Sequence, residues 1–153
     1  MAVRALIADD SFFIRDVIRR HLERIGCQVV AEAENAAQAL SLFRTLKPDV
    51  VTLDIVMAEV DGVDTLAAFN AIRKEAPEVP IIVVSAMPFE EHRRNFLGGG
   101  ALDYIIKPFT STAFEQVKRK LIAIFPELAQ TAAKQARLAA RQAPNSTPPG
   151  RRA

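Results

Sequence analysis

The segment Asp49-Val50-Val51-Thr52-Leu53-Asp54 constrains this chain more than any other. Val50, Val51 and Leu53 form a short apolar run, the pattern of a strand buried on both faces of a parallel sheet. The run ends at the Asp54 carboxylate, and the following loop carries a turn-forming Asp61-Gly62 pair. In open α/β sheets, ligands bind outside the carboxyl ends of the strands. Asp54 therefore stands where a reactive group belongs.

Three other apolar runs end in polar groups. Val3–Ala8 leads into Asp9-Asp10, with Ser11 opening a helix; Pro80–Val84 ends in Ser85; Tyr104-Ile105-Ile106 ends in Lys107-Pro108. If these strands are parallel neighbours, three carboxylates, a hydroxyl and an ammonium converge on one sheet edge. Close carboxylates repel one another unless a cation joins them. Oxygen-only ligands suit Mg²⁺, with Asp9, Asp10 and Asp54 as candidates and the backbone carbonyl of Val56 as a further ligand. A carboxylate beside such an ion can attack phosphorus, with Lys107 and Ser85 holding the phosphoryl oxygens.

Between the strands the spacing turns helical. Ser11 is a good N-cap for Ile14, Val17, Ile18, Leu22 and Ile25, and Gly26 ends that helix. Arg15, Arg19, Arg20, Glu23 and Arg24 read as its solvated face. Asn35 with Gln38 forms a capping box for a helix reaching Leu46, and Thr112 with Glu115 suggests another. A strand over Gln28–Ala33 and helices over Val63–Ala76 and around Glu90–Arg94 complete five strands alternating with five helices, which argues for a parallel sheet covered on both faces. His21 and His92 lie among charges and read as surface residues.

Net charge is +2, yet residues 127–153 hold Lys134, Arg137, Arg141, Arg151 and Arg152 against Glu127 alone. The basic balance belongs to a tail, so no specific nucleic-acid binding is expected. Residues 126–142 read as an alanine-rich basic helical extension, which the sequence leaves free to pack back, bind a partner or extend a dimer. Residues 143–153 read as disordered. No apolar run reaches the ~20 residues of a membrane span, no signal pattern opens the chain, and lone Cys27 supports no disulfide framework. A cytoplasmic protein is expected.

Asp9-Asp10-Ser11, Asp54-Ile-Val-Met, Asp61-Gly62, Ser85-Ala86 and Gly100-Ala-Leu-Asp-Tyr104-Ile-Ile-Lys107-Pro108-Phe109 together resemble the response-regulator receiver domains, the CheY-like family, from residue 3 to about 125, which makes 1–125 the expected receiver domain. The resemblance implies the flavodoxin-like (βα)5 sandwich, its five parallel strands ordered 2-1-3-4-5. It implies Asp54 as phosphoacceptor, Asp9 and Asp10 as the Mg²⁺-holding pair, Ser85 as switch hydroxyl, Lys107 as its ionic partner and Tyr104 as the aromatic that follows the switch. It also implies a histidine kinase or histidine phosphotransfer protein as donor. The output contact, or a homodimer, would form through the fourth helix, fifth strand and fifth helix, here with Arg93, Phe96, Tyr104, Phe109, Lys118 and Arg119. The Asp-Asp-Ser-x-x-x-Arg opening, ending at Arg15, is similar to that of motility regulators and implies chemotaxis. A relay or phosphate sink without an output partner is the alternative. An Mg²⁺-dependent phosphohydrolase would need a lid that these loops are too short to supply. Ala58 stands where the family has proline, and Val56 and Met87 are apolar at positions that flank the phosphate.

Overall fold

The computed structural model describes residues 2–142. Its elements are β1 (Val3–Ala8), α1 (Phe12–Ile25), β2 (Cys27–Ala33), α2 (Ala36–Leu46), β3 (Val50–Leu53), α3 (Thr65–Glu75), β4 (Ile81–Ser85), α4 (Glu90–Gly98), β5 (Asp103–Ile106), α5 (Ser111–Ile124) and α6 (Glu127–Gln142). The five strands form one parallel sheet in the order β2-β1-β3-β4-β5. This is the flavodoxin-like receiver fold.

Successive residues of a strand point to opposite faces, and both faces are buried here. Leu6, Ala8, Val51, Leu53, Ile81 and Val83 pack with Phe43, Phe69 and Phe96 on one side. Ala5, Ile7, Val50, Ile82, Val84 and Ile105 pack with Ile18, Leu22, Phe114, Val117 and Leu121 on the other. Two covered faces explain why the strands read as continuous apolar runs.

Local signals fixed several termini. Ser11 Oγ accepts from the Ile14 N–H, and Gly26 closes α1 in the left-handed region at φ 111°. Asn35 Oδ1 accepts from the Gln38 N–H at 2.8 Å, while Gln38 reaches back to the Glu34 N–H at 2.7 Å. Asp61-Gly62 turns as expected, with Val60 and Val63 exchanging backbone hydrogen bonds. The Thr112–Glu115 box does not form: α5 starts at Ser111, after Thr110, which makes no side-chain cap bond. Nor does α3 start at Val63, because Asp64 caps it through the Ala67 N–H. Leu66 is exposed while Thr65, Ala68, Phe69 and Ile72 are buried.

Of the three courses open to the extension, the structure shows packing back. Leu128 enters the core beneath α1 and α5 at 1% exposure, and Thr131 meets Gly26 so closely that a Cβ there would lie 2.8 Å from its methyl. Further along, Lys134, Arg137, Leu138 and Arg141 are exposed. The expected disorder of 143–153 lies outside the described residues.

Candidate functional site

Parallel strands place their carboxyl ends on one edge, so the polar groups that end β1, β3, β4 and β5 meet there. Carboxylate oxygens of Asp9, Asp10 and Asp54 lie within 4.8 Å of one another. Asp9 is fully buried and Asp54 3% exposed, while Asp10 faces solvent. Lys107 comes across from β5: its Nζ lies 2.6 Å from Asp9 Oδ2 and 3.3 Å from Asp54 Oδ2.

Each group is held by backbone as well. The Asp54 N–H donates to the Ala8 carbonyl at 2.9 Å, joining β3 to β1. Asp54 Oδ1 accepts from the Val56 N–H at 3.0 Å. Asp9 Oδ1 accepts from the Ser11 N–H at 2.9 Å. Ser85 is buried; its Oγ accepts from the Met87 N–H at 3.0 Å, and its carbonyl takes the Lys107 N–H at 2.8 Å. Ser85 and Lys107 thus sit side by side, on strand ends paired in register. The Lys107-Pro108 peptide is cis. Tyr104 lies inside, its hydroxyl donating to the Met87 carbonyl at 2.8 Å.

The electrostatics follow from burial and crowding. Burial pushes the Asp54 carboxyl above its ordinary value; the Val56 N–H opposes the rise, the Asp9 carboxylate adds to it, and Lys107 opposes it. For Lys107, burial acts to lower the value, but the Asp9 hydrogen bond and the charges of Asp54 and Asp9 outweigh it, leaving the ammonium above its ordinary range. Away from the site, burial and then the nearby Asp49 push the Cys27 thiol up to about 12, so it is an inert core residue.

Three hard oxygen donors this close fit a small divalent cation better than they fit one another.

Two sequence readings are corrected here. Arg15 is not solvated: it is 7% exposed, and its Nη1 donates to the Asp9 carbonyl at 2.8 Å. Only the fold could show this, because its acidic neighbours Glu32 and Glu34 come from β2 and the residue following it. His21 is half-buried, stacked on Phe114 with ring centroids 4.1 Å apart. Among the residues assigned to the output face, Phe96 and Tyr104 are buried, whereas Arg93 and Arg119 are exposed.

The sequence matches the family Response regulator receiver domain over residues 5–118. This chain belongs to that family. The receiver is 43% identical over 109 residues to chemotaxis protein CheY of Bacillus subtilis, covering 71% of this chain and 88% of that one. Among solved structures, the receiver domain of AraT from Geobacillus stearothermophilus is 28% identical with a TM-score of 0.70, covering 85% of this chain and 98% of that one. The CheX-CheY-BeF3-Mg²⁺ complex of Borrelia burgdorferi shares the fold at 24% identity and a TM-score of 0.68, covering 80% and 88%. The receiver is accordingly a phosphoacceptor module of two-component signalling with an acidic site of Asp9, Asp10 and Asp54. Its family implies a kinase partner. No helix among the described residues is long and apolar enough to cross a membrane.

Proposed function

We propose that Asp54 is the phosphoacceptor and that its phosphorylation switches the protein's contacts with other proteins. The observation that carries this reading is the placement of three carboxylates within 4.8 Å of one another, with the Lys107 ammonium reaching two of them. Asp9, Asp10 and Asp54, with the Val56 carbonyl, would hold Mg²⁺, whose charge offsets the build-up on phosphoryl oxygens. An Asp54 oxygen forms a bond to phosphorus as the phosphorus–nitrogen bond of a phosphohistidine breaks. Lys107 then pairs with a phosphoryl oxygen, and the Ser85 hydroxyl leaves the Met87 N–H to meet another. Tyr104, tethered to the Met87 carbonyl, is placed to follow that movement toward the face formed by α4, β5 and α5.

A protein donor suits the rim of this site. Phe12, Phe13, Val56, Leu66 and Phe89 are exposed on segments that begin just beyond the carboxyl ends of β1, β3 and β4. Exposed apolar side chains gathered around a polar centre favour a docked protein over a free solute. The donor is a histidine kinase or phosphotransfer protein in the cytoplasm. The name of the Bacillus subtilis relative supports chemotaxis as the pathway. We take residues 1–125 as the receiver and 126–142 as its helical extension.

Incubation with Mg²⁺ and acetyl phosphate, read by intact mass, tests the chemistry. One added phosphoryl group, absent from Asp54→Ala, is the expected result. Failure of both this adduct and a beryllofluoride complex would overturn the reading. Should phosphorylation change no partner's affinity, the protein would be a phosphate sink.

A further inference from the structure

We propose that Arg15 is a positioning residue for the Mg²⁺ site, setting metal affinity by clamping the peptide between Asp9 and Asp10. The inference rests on the reading that Asp9, Asp10 and Asp54 hold the ion. Every polar group of Asp9 is engaged. Its N–H donates to the Ala33 carbonyl at 3.0 Å, its Oδ1 accepts from Ser11 and its Oδ2 from Lys107. Its carbonyl accepts from Arg15 Nη1 at 2.8 Å. Asp10 differs: it is exposed, and among the described residues no hydrogen bond or ion pair holds its side chain. Its carboxylate is therefore located chiefly by the backbone that carries it, and that backbone is the peptide whose oxygen Arg15 grips.

Arg15 is itself held from three sides. Its Nε lies 3.3 Å from Glu32 Oε1, and its Nη2 3.9 Å from Glu34 Oε1. The Nε contact is an attraction of charges without an aligned hydrogen bond. Arg19 pairs with the other Glu32 oxygen, and the Phe12 ring covers the guanidinium, 5.7 Å from its carbon. A planar fork can serve the Asp9 carbonyl on one nitrogen and acidic partners on the others; a lysine ammonium at that distance cannot. The clamp thereby ties the end of β1 to α1 and to the end of β2.

Charge and position make opposite forecasts. A cation near the site repels Mg²⁺, so through charge alone Arg15→Gln tightens metal binding and Arg15→Lys leaves it unchanged. Positioning requires both substitutions to weaken it. Groups that orient metal ligands are worth about 10–100-fold in affinity. The test is calorimetric titration of the unphosphorylated full chain with MgCl2, alongside thermal melts without metal. Dissociation constants raised about tenfold in both variants, with the metal-free fold retained, are expected. An unchanged or tighter constant in Arg15→Lys overturns the proposal. If the Arg15 variants fail to fold, Glu32→Asp decides, since it keeps the charge, draws the carboxylate back from the guanidinium and leaves every atom touching Asp9 in place. Weaker binding there supports the clamp, and unaltered binding overturns it. If the wild-type chain binds no Mg²⁺, the metal reading itself is lost, an outcome distinct from normal wild-type binding with indifferent variants.

Discussion

The surroundings of Asp54 disfavour its ionised carboxylate. Burial, with the Asp9 charge adding to it, raises its folded-state value above the ordinary 3.8. A raised value means that the folded state binds the proton more tightly than the unfolded chain does. The stability this brings is present below pH 3.8 and is lost as pH rises through the folded value. Asp54→Asn removes the loss and keeps an oxygen for the Val56 N–H. Without divalent cations at pH 7, the variant should melt above wild type. Melts at falling pH should show the gap closing toward pH 3.8; a gap independent of pH would sink the account. Val56 and Met87 bear on a later step. Both are apolar at the mouth of the site and offer an attacking water no hydrogen bond. Val56→Asn with Met87→Glu should shorten the aspartyl-phosphate lifetime by about 10-fold or more, as polar groups that orient a water typically do. Loss of phosphoryl mass over time measures this, and an unchanged rate refutes it. The site's acids, hydroxyl and ammonium were legible because each interrupts or ends an apolar run. The burial of Arg15 was not, because helical spacing places it among exposed arginines even though it ends the Asp-Asp-Ser-x-x-x-Arg opening.

Among the elements, α6 is the one whose placement the sequence left open. Its alanines and cations give only a thin apolar stripe, yet Leu128 anchors it in the core. Leu128→Ala should cost about 2–4 kcal/mol in urea unfolding, as large-to-small changes in packed cores do. Leu138→Ala, on the exposed stretch of the same helix, should stay within about 0.5 kcal/mol. Equal effects would show that α6 is not docked as described. Helix starts were legible where the capping residue is followed at once by the apolar pattern, as at Ser11 and Asn35. They misled where several candidates cluster. Thr110, Ser111 and Thr112 all suit an N-cap, and packing of Phe114 and Val117 into the core decides which turn comes first.

For the molecule as a whole, the acidic edge is where stability and ligand binding are linked. Three carboxylates meet on one edge, where Lys107 reaches two of them. A ligand that binds only the folded state adds RT ln(1 + [L]/Kd) to stability, about 2.7 kcal/mol at a hundredfold excess over Kd. Mg²⁺ at that excess should raise the melting temperature by about 5–10 °C. Sodium chloride of equal ionic strength should not, and Asp10→Ala should lose most of the rise. An equal rise with sodium chloride would reduce the effect to general screening.

The sequence by itself determined the order of elements, the parallel sheet buried on both faces, and the residue types at its carboxyl edge. Periodicity, caps and glycine stops are local, so neighbouring residues suffice to express them. The tertiary structure alone decided the distances. Lys107 reaches Asp9 from 98 positions away, Arg15 is buried only because the end of β2 lies against α1, and Leu128 finds its pocket only once α1 and α5 are packed. Those contacts depend on surfaces that come into being when the layers close, and no local pattern encodes which distant side chain will fill them.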